Sequence, residues 1–155
     1  MLRRARPAEA PVVAEIWHAG WADGHLGHVP DELVAIRDAA DFRARAAARI
    51  DDVHIALVDG EVAGFVMTRG DEVEQVYVSG DHRGSGVADT LLADAERRIR
   101  AAGFERTWLA VVAGNARARR FYERRGWVDE GPIVYEAPGP GGPIDVPAHR
   151  YAKAL

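Results

Sequence analysis

The sequence predicts an α/β (α+β) domain with a mixed, mostly antiparallel sheet flanked by helices. Three observations carry that reading. Residues 53–78 form three strand-like apolar runs joined by tight turns, and residues 87–102 switch to apolar spacings of three and four. Two helical segments close on the same glycine-aromatic step, Gly103-Phe104 and Gly126-Trp127.

In chain order, Val13, Ile16, Trp17 and Trp21 recur at helical spacing and predict a first helix over Glu9–Trp21, with Pro11 tolerated in its first turn. Ala22 to Pro30 contains two glycines and a proline and reads as a loop. Short helices are expected around Asp31–Arg37 and Asp41–Ile50, each capped by its leading aspartate. Val53–Val58 and Glu61–Met67 pair as a hairpin about Asp59-Gly60, which suits the positive φ angles of a two-residue turn. Glu72–Val78 extends this meander. A helix over Val87–Ala102 aligns Ala88, Leu91, Leu92, Ala95 and Ile99 on one face. The strand Phe104–Val112 after it requires a right-handed crossover, and so one parallel pair. A shorter helix begins at Asn115, buries Ala118, Phe121 and Tyr122, and stops at Gly126. Ile133–Ala137 and the residues around His149–Ala152 are closing strands about the loop Pro138–Pro143, with Pro147 limiting the start of the last strand. Neither a repeat nor a composition shift divides the chain, so a single domain over residues 1–155 is expected.

Composition narrows the function. The 155 residues are 48% apolar and 28% charged, and a chain of this length buries roughly 68–70% of its unfolded surface without staples. There is no cysteine, which removes disulfides, thiolate zinc sites and cysteine nucleophiles, and with them any argument for an oxidising compartment. The cytoplasm is the expected location. With 24 acidic and 20 basic residues the net charge is −4, so nucleic acid is not an expected partner. No stretch approaches the roughly 18 apolar residues that cross a bilayer, and the basic Met1–Pro7 segment is not followed by the apolar core of a signal peptide. No membrane partner is expected.

Chemistry concentrates in Glu74-Gln75-Val76-Tyr77-Val78-Ser79-Gly80-Asp81-His82-Arg83-Gly84-Ser85-Gly86-Val87-Ala88, a strand, a loop and a glycine-rich helix entry. A helix start leaves backbone N–H groups unpaired and carries about half a positive charge, so an anion gains hydrogen bonds and field there. Gly84 and Gly86 permit close approach, and the Arg83 fork suits phosphate oxygens. Such glycines also serve tight turns and close packing. No Lys-Ser or Lys-Thr follows them, and the dinucleotide glycine pattern is missing, so neither kind of nucleotide loop fits.

Through the Arg83-x-x-Gly86-x-Ala88 signature, the preceding strand Gln75-Val76-Tyr77-Val78 and the later block Asn115…Ala118…Phe121-Tyr122…Gly126-Trp127, the chain resembles the GNAT N-acetyltransferase superfamily. The likeness extends to the order of elements along nearly the whole chain. It implies acetyl-CoA as co-substrate, with Arg83, Gly84, Ser85, Gly86, Val87 and Ala88 holding the pyrophosphate. It also implies a splayed sheet, in which the strand Val76-Tyr77-Val78 pairs through Val76 and Val78 with the pantetheine arm across a gap. Asn115 lies beside that arm and caps its helix. Gly80 stands where the family usually has proline, which predicts a looser loop.

The implied reaction is direct acetyl transfer in a ternary complex to an amine of a small molecule or peptide. Tyr122 is the implied acid for the departing thiolate, since a phenol with pKa about 10 keeps its proton at neutral pH. Its helical spacing equally suits a core aromatic. Glu74 is preferred to Glu72 as base, although both also suit exposed strand positions, and a bulge would change the face they occupy. The Val76 N–H is the expected donor to the thioester carbonyl. Trp17, Trp21, His25 and His28 are expected to shape the acceptor pocket. With His18 nearby, these histidines lack the thiolates and spacing of a zinc site, so no metal is expected. Arg117, Arg119, Arg120, Arg124 and Arg125 either draw in coenzyme phosphates or form a solvated face. The slight acidic excess favours cationic acceptors, and the hairpin from Pro138 offers a strand to a homodimer partner. The alternative is a catalytically silent acyl-CoA-binding sensor or partner-binding module, which would keep the cradle without an acceptor.

Overall fold

Alternation along the central strands sends apolar side chains to both faces of one sheet, and each face gathers its own helices. The computed structural model describes residues 1–155. Its strands are β1 (Leu2–Arg4), β2 (Val53–Val58), β3 (Glu61–Arg69), β4 (Glu72–Val78), β5 (Arg106–Val112), β6 (Val128–Ala137) and β7 (Ile144–Ala154). They form one seven-stranded sheet in the order β1-β2-β3-β4-β5-β7-β6. Only the β4–β5 pair is parallel. The helices are α1 (Ala10–His25), α2 (Asp31–Ile36), α3 (Ala39–Ala48), α4 (Val87–Ala101) and α5 (Ala116–Arg124). Trp17, Leu33, Phe42 and Phe65 lie in the core beneath α1, α2 and α3. On the other face Leu91, Leu92, Trp127 and Tyr151 form the core beneath α4 and α5. The expected mixed α/β class, with a mostly antiparallel sheet flanked by helices, is what the chain adopts.

Local signals held where the conformation is set locally. Asp59 and Gly60 both have positive φ, 51° and 79°, as the two-residue hairpin requires. Both predicted helix stops use the same back-bond: the Phe104 N–H donates to Ile99 O at 3.4 Å, and the Trp127 N–H to Tyr122 O at 3.1 Å.

Other boundaries moved. α1 continues to His25, so Asp23 and Gly24 are helical rather than part of a loop. Gly24 is there for close approach, since a Cβ on it would stand 2.8 Å from Asn115 Nδ2. α3 starts at Ala39 because Asp38, not Asp41, is its cap; the Asp38 side chain accepts the Asp41 N–H at 2.8 Å. α2 begins at Asp31, but Pro30 holds the cap position and no side chain caps it. β1 was not foreseen, and β6 starts at Val128. β7 runs from Ile144 straight through Pro147. The Pro147 carbonyl accepts the Ala113 N–H at 3.2 Å, so the donor that proline lacks would have faced the Ala113 carbonyl just past the end of β5, and Arg119 Nη1 donates to that carbonyl at 3.2 Å in its place.

Two irregularities in β4 position the site. β3 and β4 lose register after Met67, which leaves Glu74 as the extra residue of a bulge on β4. β4 and β5 pair only at Glu72 and Trp108. Asp71 pins that junction: its carbonyl accepts the Trp108 N–H at 3.1 Å and the Thr107 hydroxyl at 2.8 Å, and its carboxylate accepts Trp108 Nε1 at 3.2 Å. Beyond it the two strands part.

Candidate active site

The splay leaves one side of β4 without a strand partner. The Ser79 N–H donates to Ala63 O at 2.8 Å, and counting back by two puts the Tyr77 and Gln75 amides on the same β3 side. The Val76 and Val78 amides therefore face the gap. Backbone groups there need water or a ligand to complete them. After Val78 the chain makes a single turn over Gly80–His82, closed by a 2.8 Å bond between Ser79 Oγ and His82 Nδ1. The loop expected to be loose at Gly80 is tied in this way.

α4 then begins at Val87, with Gly86 at the cap position, where it has φ 83° and offers no side-chain cap. The first amides of α4 are left for an outside acceptor. Gly84 and Gly86 share the left-handed conformation, with open space where a Cβ would be. A cavity of about 540 Å³ lies over this corner. Arg83, Gly84, Gly86 and Ala88 line it from one side, and Arg117 and Arg124 of α5 from the other. Ser85 turns its hydroxyl back onto the His82 carbonyl, so any contribution to this corner comes from its backbone. Arg83 pairs with Asp23 at the end of α1. Free amides at a helix start, with the guanidiniums of Arg83, Arg117 and Arg124 and that of Arg125 paired to Asp89, fit a diphosphate.

A second cavity, of about 510 Å³, lies on the other side of the gap. The two share Val76, Tyr77, Asn115, Ala118 and Tyr122. Tyr122 thus stands at their junction. Its ring is edge-on to Phe121 and Trp127, at centroid distances of 5.2 and 5.9 Å. Burial pushes its hydroxyl up to about 12 against the pull of Arg125, and no hydrogen bond contributes. Asn115 caps α5, its Oδ1 accepting the Ala118 N–H at 3.1 Å. The Tyr77 ring lies flat enough on α1 that a Cβ on Gly20 would collide with it.

The second cavity is lined by aromatic and charged side chains. Trp17 and Trp21 of α1 form part of its wall while being only 1% and 6% exposed. His25 stacks on Trp21 at 4.8 Å and bonds the Trp21 carbonyl through Nδ1 at 3.0 Å. Burial lowers its pKa to about 4, so it is neutral at physiological pH. His28 packs on Gly114 and does not line the cavity, and His18 stacks on Phe42.

The two carboxylates weighed as base have different surroundings. Glu74 accepts two bonds from Arg49, at 2.7 and 3.1 Å, and lies 3.3 Å from Arg69 Nε. Glu72 has no guanidinium bond and instead accepts the Tyr135 hydroxyl at 3.1 Å. Burial, then repulsion from Glu74, raises the Glu72 pKa to about 7, with the Tyr135 bond opposing. A carboxylate titrating there can exchange a proton with an amine near neutral pH.

The contiguous motif thus comes together around the gap, and Tyr122 and Asn115 join it from α5. Tyr135, Arg45 and Arg49 were not anticipated. They reach the site from β6, α3 and the turn after α3, and only pairing partners distant in sequence reveal them. Arg117 and Arg124 belonged to a basic helix whose cavity-facing members could not be told from its solvated ones. Arg119 is a structural member of that helix, bonded to the Tyr151 hydroxyl, Asp129 and the Ala113 carbonyl.

The acetyltransferase (GNAT) family model matches residues 14–127. An uncharacterized N-acetyltransferase of Mycobacterium tuberculosis is 31% identical over 107 residues, which cover 63% of this chain and 69% of that protein. The GCN5-related N-acetyltransferase structure from Rhodopseudomonas palustris aligns with 100% of this chain and 95% of its own, at a TM-score of 0.78 and 25% identity. The PaiA N-acetyltransferase of Thermoplasma acidophilum, solved in complex with coenzyme A, shares the fold at a TM-score of 0.74 and 17% identity, over 100% of this chain and 98% of that one. With a family match running from α1 to Trp127, the chain belongs to the acetyltransferase (GNAT) family and is an acyltransferase.

Proposed function

We propose that the chain transfers the acetyl group of acetyl-CoA to an amine of a small molecule or peptide, by direct attack in a ternary complex. The observation that carries this reading is the junction of two cavities at Tyr122, one beside an anion-binding helix start and the other beside a carboxylate of raised proton affinity. Acetyl-CoA supplies an activated thioester. The amides of residues 84–88, with Arg83, hold its diphosphate, and Val76 and Val78 continue the β4 ladder onto its pantetheine arm. The Val76 N–H is fixed in the strand and donates to the carbonyl oxygen without reorganising as charge develops there.

Glu72 takes a proton from the incoming amine as the C–N bond forms. Glu74, the base expected from sequence, instead neutralises Arg49 and Arg69. Tyr122 gives its hydroxyl proton to the sulfur as the C–S bond breaks. Asn115 holds the start of α5, and so the position of Tyr122, while its amide nitrogen faces α1. Holding two reactants together contributes roughly 7–11 kcal/mol, more than a positioned acid or base at about 10²–10⁴-fold each. Geometry at the junction therefore outweighs any one side chain.

The test is thiol release from acetyl-CoA across a broad amine panel, alongside calorimetric titration with coenzyme A. The expected result is coenzyme binding together with amine-dependent release. Binding without release by any amine would leave a silent coenzyme-binding module.

A further inference from the structure

The chain as a whole is acidic, but its second cavity is not. Arg37, Arg45, Arg49 and Arg69 line it, against Glu72, Glu74 and the rim residue Glu136. Three of the guanidiniums have partners. Arg37 donates to Asp41 at 3.2 Å and to the Pro138 carbonyl at 2.5 Å. Arg49 is shared between Glu74 and Asp52, and Arg69 lies 3.3 Å from Glu74. Arg45 donates no such bond. Asp41 Oδ2 stands 3.8 Å from its Nη1, beyond hydrogen-bond reach, and that nitrogen is buried without a partner. The guanidinium carbon lies 4.4 Å over the Trp17 ring, which fixes the plane of the fork. Of the side chain, 24% remains exposed.

We propose that Arg45 is an anion subsite of the acceptor cavity, and that the acceptor is an amine carrying a carboxylate. This rests on the acetyl-transfer reading above. The carboxylate meets the stacked fork of Arg45, and the amine end is directed to Glu72 and the junction at Tyr122. A planar fork held by stacking suits a planar carboxylate, and the aromatic wall of Trp17, Trp21 and His25 suits an apolar body between the two ends. Burial, then the neighbouring Arg37 charge, lowers the pKa of Arg45 to about 10, with Asp41 and Glu74 opposing from beyond hydrogen-bond reach.

Matched acceptors differing only in the carboxylate test the idea on the wild-type chain: phenylalanine against phenethylamine, leucine against isoamylamine, and aminohexanoate against hexylamine. The expected result is a preference of at least about tenfold in kcat/KM for the carboxylated member of one or more pairs, equivalent to about 1.4 kcal/mol. In Arg45→Met that preference should fall to near unity with coenzyme A affinity unchanged. Arg45→Lys, which keeps charge and stem but not the fork, serves if the methionine variant does not fold, and it should lose most of the preference. No preference in any pair, or a preference that survives both substitutions, overturns the proposal.

A second readout needs no turnover. Hydrocinnamate, but not its amide, should raise the melting temperature of the coenzyme A-loaded wild type, and Arg45→Met or Arg45→Lys should abolish or weaken the shift. Equal shifts from the acid and the amide would remove the subsite even if acetyl transfer stands. If no amine releases thiol, the acetyl-transfer reading fails separately and the hydrocinnamate result alone decides the anion site.

Discussion

The two cavities that meet at Tyr122 are built by different means. The side proposed for the coenzyme draws on residues contiguous in sequence, Val76 to Ala88, and offers chiefly backbone: amides left free by the splay of β4 and by the uncapped start of α4. The acceptor side is made of side chains from α1, α3, β3, β4 and β6 that meet only in the folded chain. A site made of backbone is fixed by conformation and needs little from side-chain identity. A site made of side chains can change its ligand by a few substitutions while the fold stays the same. This difference explains why the glycine-rich corner stands out in the sequence while the lining of the second cavity does not.

Substitutions at the junction should sharpen the comparison most. Tyr122→Phe should lower kcat by about 10²–10⁴-fold in thiol-release kinetics, with calorimetric coenzyme A affinity nearly unchanged. Equal loss of both would assign Tyr122 to the coenzyme side alone. Glu72→Gln is next, with kcat/KM down about 10²-fold. The raised pKa of Glu72 makes its carboxyl neutral below about 7 and anionic above, so wild-type kcat/KM should climb as pH rises through that value and the variant should lose the climb. Stability moves the opposite way. A carboxyl raised from 4.5 to about 7 by folding favours the native state fully below 4.5 and loses that contribution as pH rises through 7. Glu72→Gln should flatten that decline in melting temperature.

Glu74→Gln separates the two carboxylates. It leaves Arg49 and Arg69 without their shared anion and removes the repulsion that helps raise Glu72, so its expected effect is a lower melting temperature with the pH limb kept but moved to lower pH. A lost pH limb would return the base to Glu74. Gly86→Ala should act on the coenzyme side only. Its φ of 83° strains an L side chain by about 1–2 kcal/mol, which should weaken coenzyme A binding by about tenfold while kcat at saturation is kept.

What was legible follows the same division. Gly103-Phe104 and Gly126-Trp127 ended their helices as read, because the stop is made by five-residue back-bonds inside each segment. The Asp59-Gly60 turn was legible for the same local reason. Gly24 was misread because its purpose is room for Asn115, a residue far along the chain. Pro147 was misread because the cost of a missing N–H depends on whether another donor reaches the carbonyl it would have faced, and Arg119 does so at Ala113. The proposed preference for Glu72 over Glu74 rests on a bulge defined by the β3 register and on guanidiniums from outside the strand, neither of which the strand's own sequence shows. The three residues of β1 are too few to show a period.

Residue-resolved amide hydrogen exchange with and without coenzyme A reads the β4 amides that face the gap, and with them the proposed coenzyme contact, without knowledge of the acceptor. Val76 and Val78 should exchange readily in the free protein and slow by about tenfold or more when coenzyme A is added, while Tyr77, bonded to β3, stays protected in both states. Coenzyme binding that leaves the exchange of Val76 and Val78 unchanged would contradict that contact.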